Sequence, residues 1–478
     1  MSESDRNPVP ISRFRVVLNR LRFPWDWIRR DPGPTPGRGD GAKDDPRERL
    51  RVQVGVVRDA MGGDVATAGS DGAARAEDDA DTAYLFRPGH ALVRDDETFE
   101  RLDRFFGDRQ DTYAGRLDRV PDRAGDTGIL VRLPSRRDER DDVLATLDEV
   151  DDAFRPSAQD DPDGYRVYTE HPVMTPDHLL YVTATGHLCP ATEPQTVRTD
   201  RPWPDVNPDE TAGEGIRVSV VDTGLWLGAL DNPAVPWMDG VVPASPLDEE
   251  VILPPAIHPY GGHGTFVAGV IQCMAPASRV EVEGALTHGG AVYESDICLQ
   301  LHQALTEREH PQIISISAGT HTRKNMALLG FDMLAAAHGL DDGEDTIVVA
   351  AAGNDGSTDP FWPAAFPWVV GVGSVDSDGK MSDYSNHGEW VDVYARGRDL
   401  VNAFPTGTYT CYEPPNKGQV RQFKNLAQWS GTSFSTPVVT GLIAARMSAA
   451  GENAQQARAA VLKGATTTGG LPIVGPLT

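Results

Sequence analysis

A chain of 478 residues is long enough to bury a sizeable core and to hold about two or three domains. Its 44 lysines and arginines against 71 aspartates and glutamates give a formal net charge of -27, which argues against nucleic acid as a partner and for a solvated, self-repelling surface. Four cysteines, Cys189, Cys273, Cys298 and Cys411, stand far apart without a C-x-x-C pair, so neither a zinc cluster nor a dense disulfide framework is indicated and buried thiols are expected.

Residues 1–30 contain no uninterrupted apolar core of signal-peptide length, and no later run is long enough to span a bilayer, so a cytoplasmic location is expected. Residues 13–30 form a basic and aromatic island, with Phe14, Val17, Leu18 and Leu21 at helical spacing and Pro24 closing the pattern. Such an island suits a membrane surface, a partner protein or the chain's own acidic body. Residues 31–80 are rich in Pro, Gly, Asp and Ala, broken only by the alternating Arg51-Val52-Gln53-Val54-Gly55-Val56-Val57. Residues 1–80 therefore read as an arm and a mostly disordered linker with one strand at 51–57.

From Tyr84 the pattern becomes globular. Ala91-Leu92-Val93 predicts a strand, Phe99, Leu102 and Phe106 one face of a helix, 128–133 a second strand, and Val143, Leu144, Leu147 and Val150 a second helix. Tyr165-Arg166-Val167-Tyr168 and Leu179-Leu180-Tyr181-Val182 follow. Residues 81–198 thus read as a small α+β domain.

Residues 199–478 alternate strands, at 218–221, 280–282, 313–317, 347–351 and 369–372, with helices at 263–274, 295–308 and 325–338. That alternation predicts an α/β domain, a parallel sheet covered by helices on both faces. Asp222 ends a β-branched strand ahead of a glycine turn, at the edge where open α/β sheets carry their sites. His263 follows Gly261-Gly262 and opens an apolar helix, suited to a general base. Asn354 lies in a glycine turn after a buried strand, and an amide N–H is a standard oxyanion donor. Ser433, flanked by small residues in Gly431-Thr432-Ser433-Phe434-Ser435-Thr436-Pro437, precedes an apolar helix whose N-terminal end favours developing negative charge, so it is a candidate nucleophile. Read one at a time, the four stretches also suit a helix cap, a structural histidine and an Asn-rich turn.

Together, Asp222-Thr223-Gly224, His263-Gly264-Thr265, Ala352-Gly353-Asn354 and Gly431-Thr432-Ser433 with Pro437 resemble the motifs of the subtilisin-like serine proteases, the subtilases, in that family's order. The order, and the lack of a G-x-S-x-G elbow, argue against an α/β-hydrolase. The resemblance covers residues 200–478 and departs from the commonest pattern at Phe266, Phe434 and Val438, where His, Met and His are usual, and in the long polar segment 402–428. It implies a subtilisin-like fold and a serine endopeptidase with Asp222 as orienter, His263 as base, Ser433 as nucleophile and Asn354 as oxyanion donor, acting on a protein or peptide. The stretch Ser315, Ser317, Ala318 and Gly319 resembles the family's substrate-binding edge.

No cofactor is required by that chemistry, and calcium, which stabilises many family members, has no loop of convincing ligand spacing here. The two-helix unit at 81–198 is similar in architecture and position to a subtilase prosegment, which implies self-cleavage between residues 183 and 213; an accessory domain of other purpose is the alternative. The alternatives are a latent or inactive binding protein whose cleft the N-terminal domain blocks, and an esterase or ligase using the same triad.

Overall fold

Strands that are apolar at every position, with no polar face, belong in the middle of a sheet covered on both sides, and the chain uses them that way. The computed structural model describes residues 46–69, 75–121, 125–137, 143–182, 192–198, 204–250, 252, 256–286, 289–343 and 345–477. Within them, a nine-stranded sheet runs in the order Thr466–Thr468, Leu471–Ile473, Val393–Arg396, Val369–Val375, Ile347–Ala351, Ile313–Ile316, Arg217–Val221, Arg279–Glu283 and Val241–Pro243. Every neighbouring pair is parallel except the C-terminal hairpin that forms one edge.

The α-helices of the described residues are α1 (Pro46–Ala60), α2 (Asp96–Gly107), α3 (Val143–Phe154), α4 (Pro162–Glu170), α5 (His263–Met274), α6 (Glu294–Thr306), α7 (Leu329–His338), α8 (Thr432–Ala450) and α9 (Ala454–Lys463). Alternate residues of the central strands feed the two faces of the large sheet. Ile313 and Val349 join the core under α5 and α8, while Ile314, Ile316, Val348 and Ala350 join the one under α6 and α7. The strands predicted within 199–478 and the helix at 263–274 are found, and the helix predicted at 325–338 starts at Leu329.

A second sheet is antiparallel, in the order Ala291–Tyr293, Met174–Tyr181, Thr82–Val93, Ile129–Arg132 and Asp118–Arg119, with Ala66–Gly69 also on Thr82–Val93. Helices α2 and α3 cover one of its faces through Leu102, Phe106, Leu144 and Val150. One edge strand, Ala291–Tyr293, comes from the stretch that leads into α6, so this sheet joins the N-terminal segment to the part of the chain that builds the large sheet. Charge reinforces that joint: buried Asp177 accepts from the Ser295 amide (3.0 Å) and hydroxyl (2.8 Å) at the start of α6, and Arg323 pairs with Asp151 at 2.8 Å. Of the two further segments singled out above, 165–168 lies in α4 and 179–181 ends the strand Met174–Tyr181.

The strand expected at 51–57 is a correction: these residues are helical, inside α1. Leu50, Val54 and Val57 bury one stripe of it against Leu85, Leu179 and Tyr181 on the second sheet, and burying each such side chain contributes about 1.5–3 kcal/mol. Docking of that stripe outweighs the β-preference of the valines. The expected disorder of residues 31–80 therefore does not extend over 46–69, whereas the basic island at 13–30 lies outside the described residues.

The polar segment 402–428 folds as a hairpin, Gly407–Thr410 with Val420–Phe423, and its tip meets α1. Glu413 there is buried and accepts from Tyr260 Oη (2.8 Å) and Gln53 Nε2 (3.1 Å), with Arg49 at 3.9 Å. Burial first, and the neighbouring Glu193 carboxyl second, push its pKa up to about 7. A carboxyl whose folded pKa is raised binds a proton that the unfolded chain releases, so its contribution to stability is present in acid and is lost as pH rises through about 7. We expect Tm to fall between about pH 5 and 8 and Glu413→Gln to make that fall shallower, measured by calorimetry across the range. An unchanged slope in the variant would contradict it.

Candidate active site

Strand ends and two helix starts converge at the C-terminal edge of the large sheet, where backbone groups run out of sheet partners. Asp222 directly follows the strand Arg217–Val221 and His263 is the first residue of α5. Both side chains are fully buried, and His263 Nδ1 lies 2.7 Å from Asp222 Oδ1. The same oxygen accepts the Thr223 N–H at 2.7 Å, which fixes the carboxylate. Gly262 has φ +85°, and a Cβ there would lie 2.4 Å from Pro405 Cδ, so only glycine allows the turn that presents His263.

Ser433 is the second residue of α8, a buried helix of 19 residues, with its N–H in the positively polarised first turn. Its hydroxyl rests on the Ser317 carbonyl at 3.4 Å, and Ser317 Oγ donates back to the Ser433 carbonyl at 2.8 Å. His263 Nε2 is buried with no hydrogen-bond partner among the described residues, so the path from serine to imidazole is not closed in this arrangement. Catalytic hydrogen bonds commonly tighten only once a substrate is bound. Asn354, fully buried, accepts the Thr432 N–H on Oδ1 at 2.8 Å, which turns its Nδ2 to the opposite side.

The departures at Phe266 and Phe434 are one feature. Their rings meet at a tilt of 56° with centroids 4.6 Å apart, and His263 lies 5.3 Å from Phe434 and edge-on to Trp429 at 5.5 Å. An aromatic cage thus replaces the more polar residues usual there and holds the imidazole ring.

Ser315 is corrected as a member of a substrate edge. Its residue pairs on both sides, with Val349 and Val220, and its Oγ accepts from Thr440 under α8, so no backbone is open to a peptide. Ser317, Ala318 and Gly319 do lie beyond the strand Ile313–Ile316. At Gly319 an extended segment is already seated: Tyr181 N–H donates to its carbonyl (3.1 Å), its N–H donates to the Tyr181 carbonyl (3.2 Å), and Val182 N–H donates to Gly290 O (2.8 Å) on the other side.

Glu250 went unnoticed in the sequence, where Asp248-Glu249-Glu250 looks like a solvated acidic run; the structure buries Asp248 and Glu250. No signal in the sequence marks it. Cys273, Cys298 and Cys411 are buried free thiols, with burial pushing Cys273 and Cys411 up to about 12, while Cys189 lies outside the described residues. Among the described residues no group of three or more His, Cys, Asp or Glu is placed to hold a metal ion, and no helix is long and apolar enough to cross a membrane.

Residues 213–472 match the family model of the Peptidase S8 group, the subtilase family. The thermophilic serine proteinase of Bacillus sp. (strain AK1) is 30% identical over 284 residues, which is 56% of this chain and 60% of that protein. Thermitase of Thermoactinomyces vulgaris is 27% identical over 280 residues, 56% of this chain and 85% of that protein. Among solved structures, the prenylagaramide maturation protease PagA aligns with a TM-score of 0.41 at 27% identity, over 54% of this chain and 86% of that one.

Proposed function

The chain belongs to the subtilase family, and from that premise we propose that it is a serine endopeptidase that cleaves protein or peptide substrates through an acyl-enzyme. The observation that carries the reading is the fully buried Asp222–His263 contact of 2.7 Å beside Ser433 in the first turn of α8.

Ser433 Oγ attacks the substrate carbonyl as its proton passes to His263 Nε2, and Asp222 steadies the imidazolium through Nδ1–H. The oxyanion meets Asn354 Nδ2 and the Ser433 N–H, both fixed in advance, the first by the Thr432–Asn354 hydrogen bond. As the C–N bond breaks, His263 returns the proton to the leaving amine. Water then repeats the sequence on the ester. These steps use side chains and backbone alone; calcium would serve stability rather than chemistry.

The seated Tyr181-Val182 segment favours a second element of the reading: residues 81–198 act as a prosegment, and the chain is latent until they are cut and displaced. The basic island at 13–30 adds a salt-sensitive contact for an anionic surface.

A fluorophosphonate tests the reading, since it labels an activated serine: we expect label on Ser433 in activated protein and none in Ser433→Ala. Absence of label from protein whose cleft has been cleared would contradict it. Asn354→Ala is expected to lower turnover by about 10²–10³ with little change in KM, the size of loss found at the corresponding donor of a subtilisin. Unchanged turnover in folded Asn354→Ala removes it from the site.

A further inference from the structure

Two loops must be held at a fixed spacing for Asp222 to meet His263 at 2.7 Å, the loop that begins at Thr223 and the turn that ends at Gly262. One side chain touches both. Glu250 Oε2 accepts the Gly262 N–H at 2.8 Å, and the Thr223 side chain acts on the same carboxyl. The Thr223 hydroxyl accepts the Gly264 N–H at 3.1 Å, so the residue after His263 is tied to the residue after Asp222. The Glu250 backbone is anchored to the same loop, its N–H donating to Leu225 O at 2.9 Å. Packing leaves no slack: a Cβ on Gly224 would lie 2.7 Å from Asp248 O, and one on Gly264 would lie 2.5 Å from Gly224 O.

Resting on the peptidase reading, we propose that Glu250 is a positioning residue, whose carboxyl clamps the Thr223 loop to the Gly262 turn and thereby sets the approach of Asp222 to His263. It touches neither the substrate path nor the reacting atoms. The groups facing it are the Asp222 carboxylate and His258, whose Nε2 lies 3.8 Å from Glu250 Oε1. Burial and, less strongly, the charge of Asp222 raise the Glu250 pKa well above the usual carboxylate range. What the Gly262 N–H needs is an acceptor oxygen, which a glutamine also supplies.

The test uses the full chain after activation, with every rate referred to active sites titrated by a fluorophosphonate. Glu250→Ala is expected to lower kcat by about 10²-fold with KM changed by no more than about twofold, the loss that small misplacements of catalytic groups cause. Glu250→Gln is expected to stay within about threefold of wild type and to keep the acid limb of its kcat/KM profile, because its amide oxygen still accepts from Gly262. If Glu250→Ala does not fold, Glu250→Asp, too short to span the two loops, takes its place with the same expected fall in kcat. In either variant the downfield proton resonance of the His263–Asp222 hydrogen bond shifts, and in Glu250→Gln it stays. A purely structural residue would lower Tm and the titre of active sites but leave kcat per site and that resonance unmoved, which would overturn the inference. Equal loss in Glu250→Gln and Glu250→Ala would also overturn it, by making charge the working property. A wild type that neither labels nor cleaves sinks the peptidase reading and this inference together, whereas a labelling wild type with an unimpaired Glu250→Ala sinks this one alone.

Discussion

Ser433→Ala is expected to lower kcat by about 10⁶-fold, and adding His263→Ala is expected to cost almost nothing more, magnitudes seen when the triad of a subtilisin is dismantled. The reason is in the geometry. The Asp222–His263 pair is fully buried and packed against Trp429 and Phe434, so without the serine hydroxyl it has no proton to move. Asp222→Ala is expected to leave more residual activity, since the aromatic cage still holds the ring. What remains comes from Asn354 and the helix end, which stabilise an oxyanion formed by water. Turnover of a peptide by each single and double variant measures this. Wild-type turnover by Ser433→Ala, or strictly multiplicative losses, would contradict the triad.

The second large effect is self-cleavage followed by retention of the cut piece. Tyr181 pairs antiparallel with Gly319, two residues past Ser317, and the Ser317 carbonyl touches the Ser433 hydroxyl. The segment that follows this seated strand is held close to the site, and effective concentration is expected to make a bond between residues 183 and 213 the first to be cut. Nothing in the joint depends on the severed bond. The Ala291–Tyr293 pairing, the Asp177 contacts to Ser295 and the Arg323–Asp151 ion pair all remain. The N-terminal piece should therefore co-elute with the catalytic part and inhibit it until removed. A first cut outside residues 183–213, or immediate separation of the pieces on gel filtration, would contradict this.

How much of this was written in the sequence varies with the physics that decides each feature. α5 was legible residue for residue because Gly261-Gly262 and Pro276 punctuate an apolar run. The triad candidates and Asn354 were legible because each chemistry-bearing residue sits beside a glycine or at an element's end. α1 was not, since Val52, Val54 and Val56 alternate while Leu50, Val54 and Val57 share a helical stripe, and only the partner surface chooses between the two patterns. The Phe266–Phe434 contact was invisible because the two positions are remote in sequence. Ser315 misled for a related reason: which strand is an edge depends on the pairing of all nine strands, and a local run of small residues does not report it. Glu250 depends on the fold of an acidic loop whose composition alone suggests solvent.

The central claim, a working Ser433 nucleophile with its first substrate already seated at Gly319, is tested most directly by the intact mass of freshly purified wild type beside Ser433→Ala. The account predicts two species in wild type, split between residues 183 and 213, and one uncut species in the variant. An uncut wild type, or identical cleavage of both proteins, would contradict it.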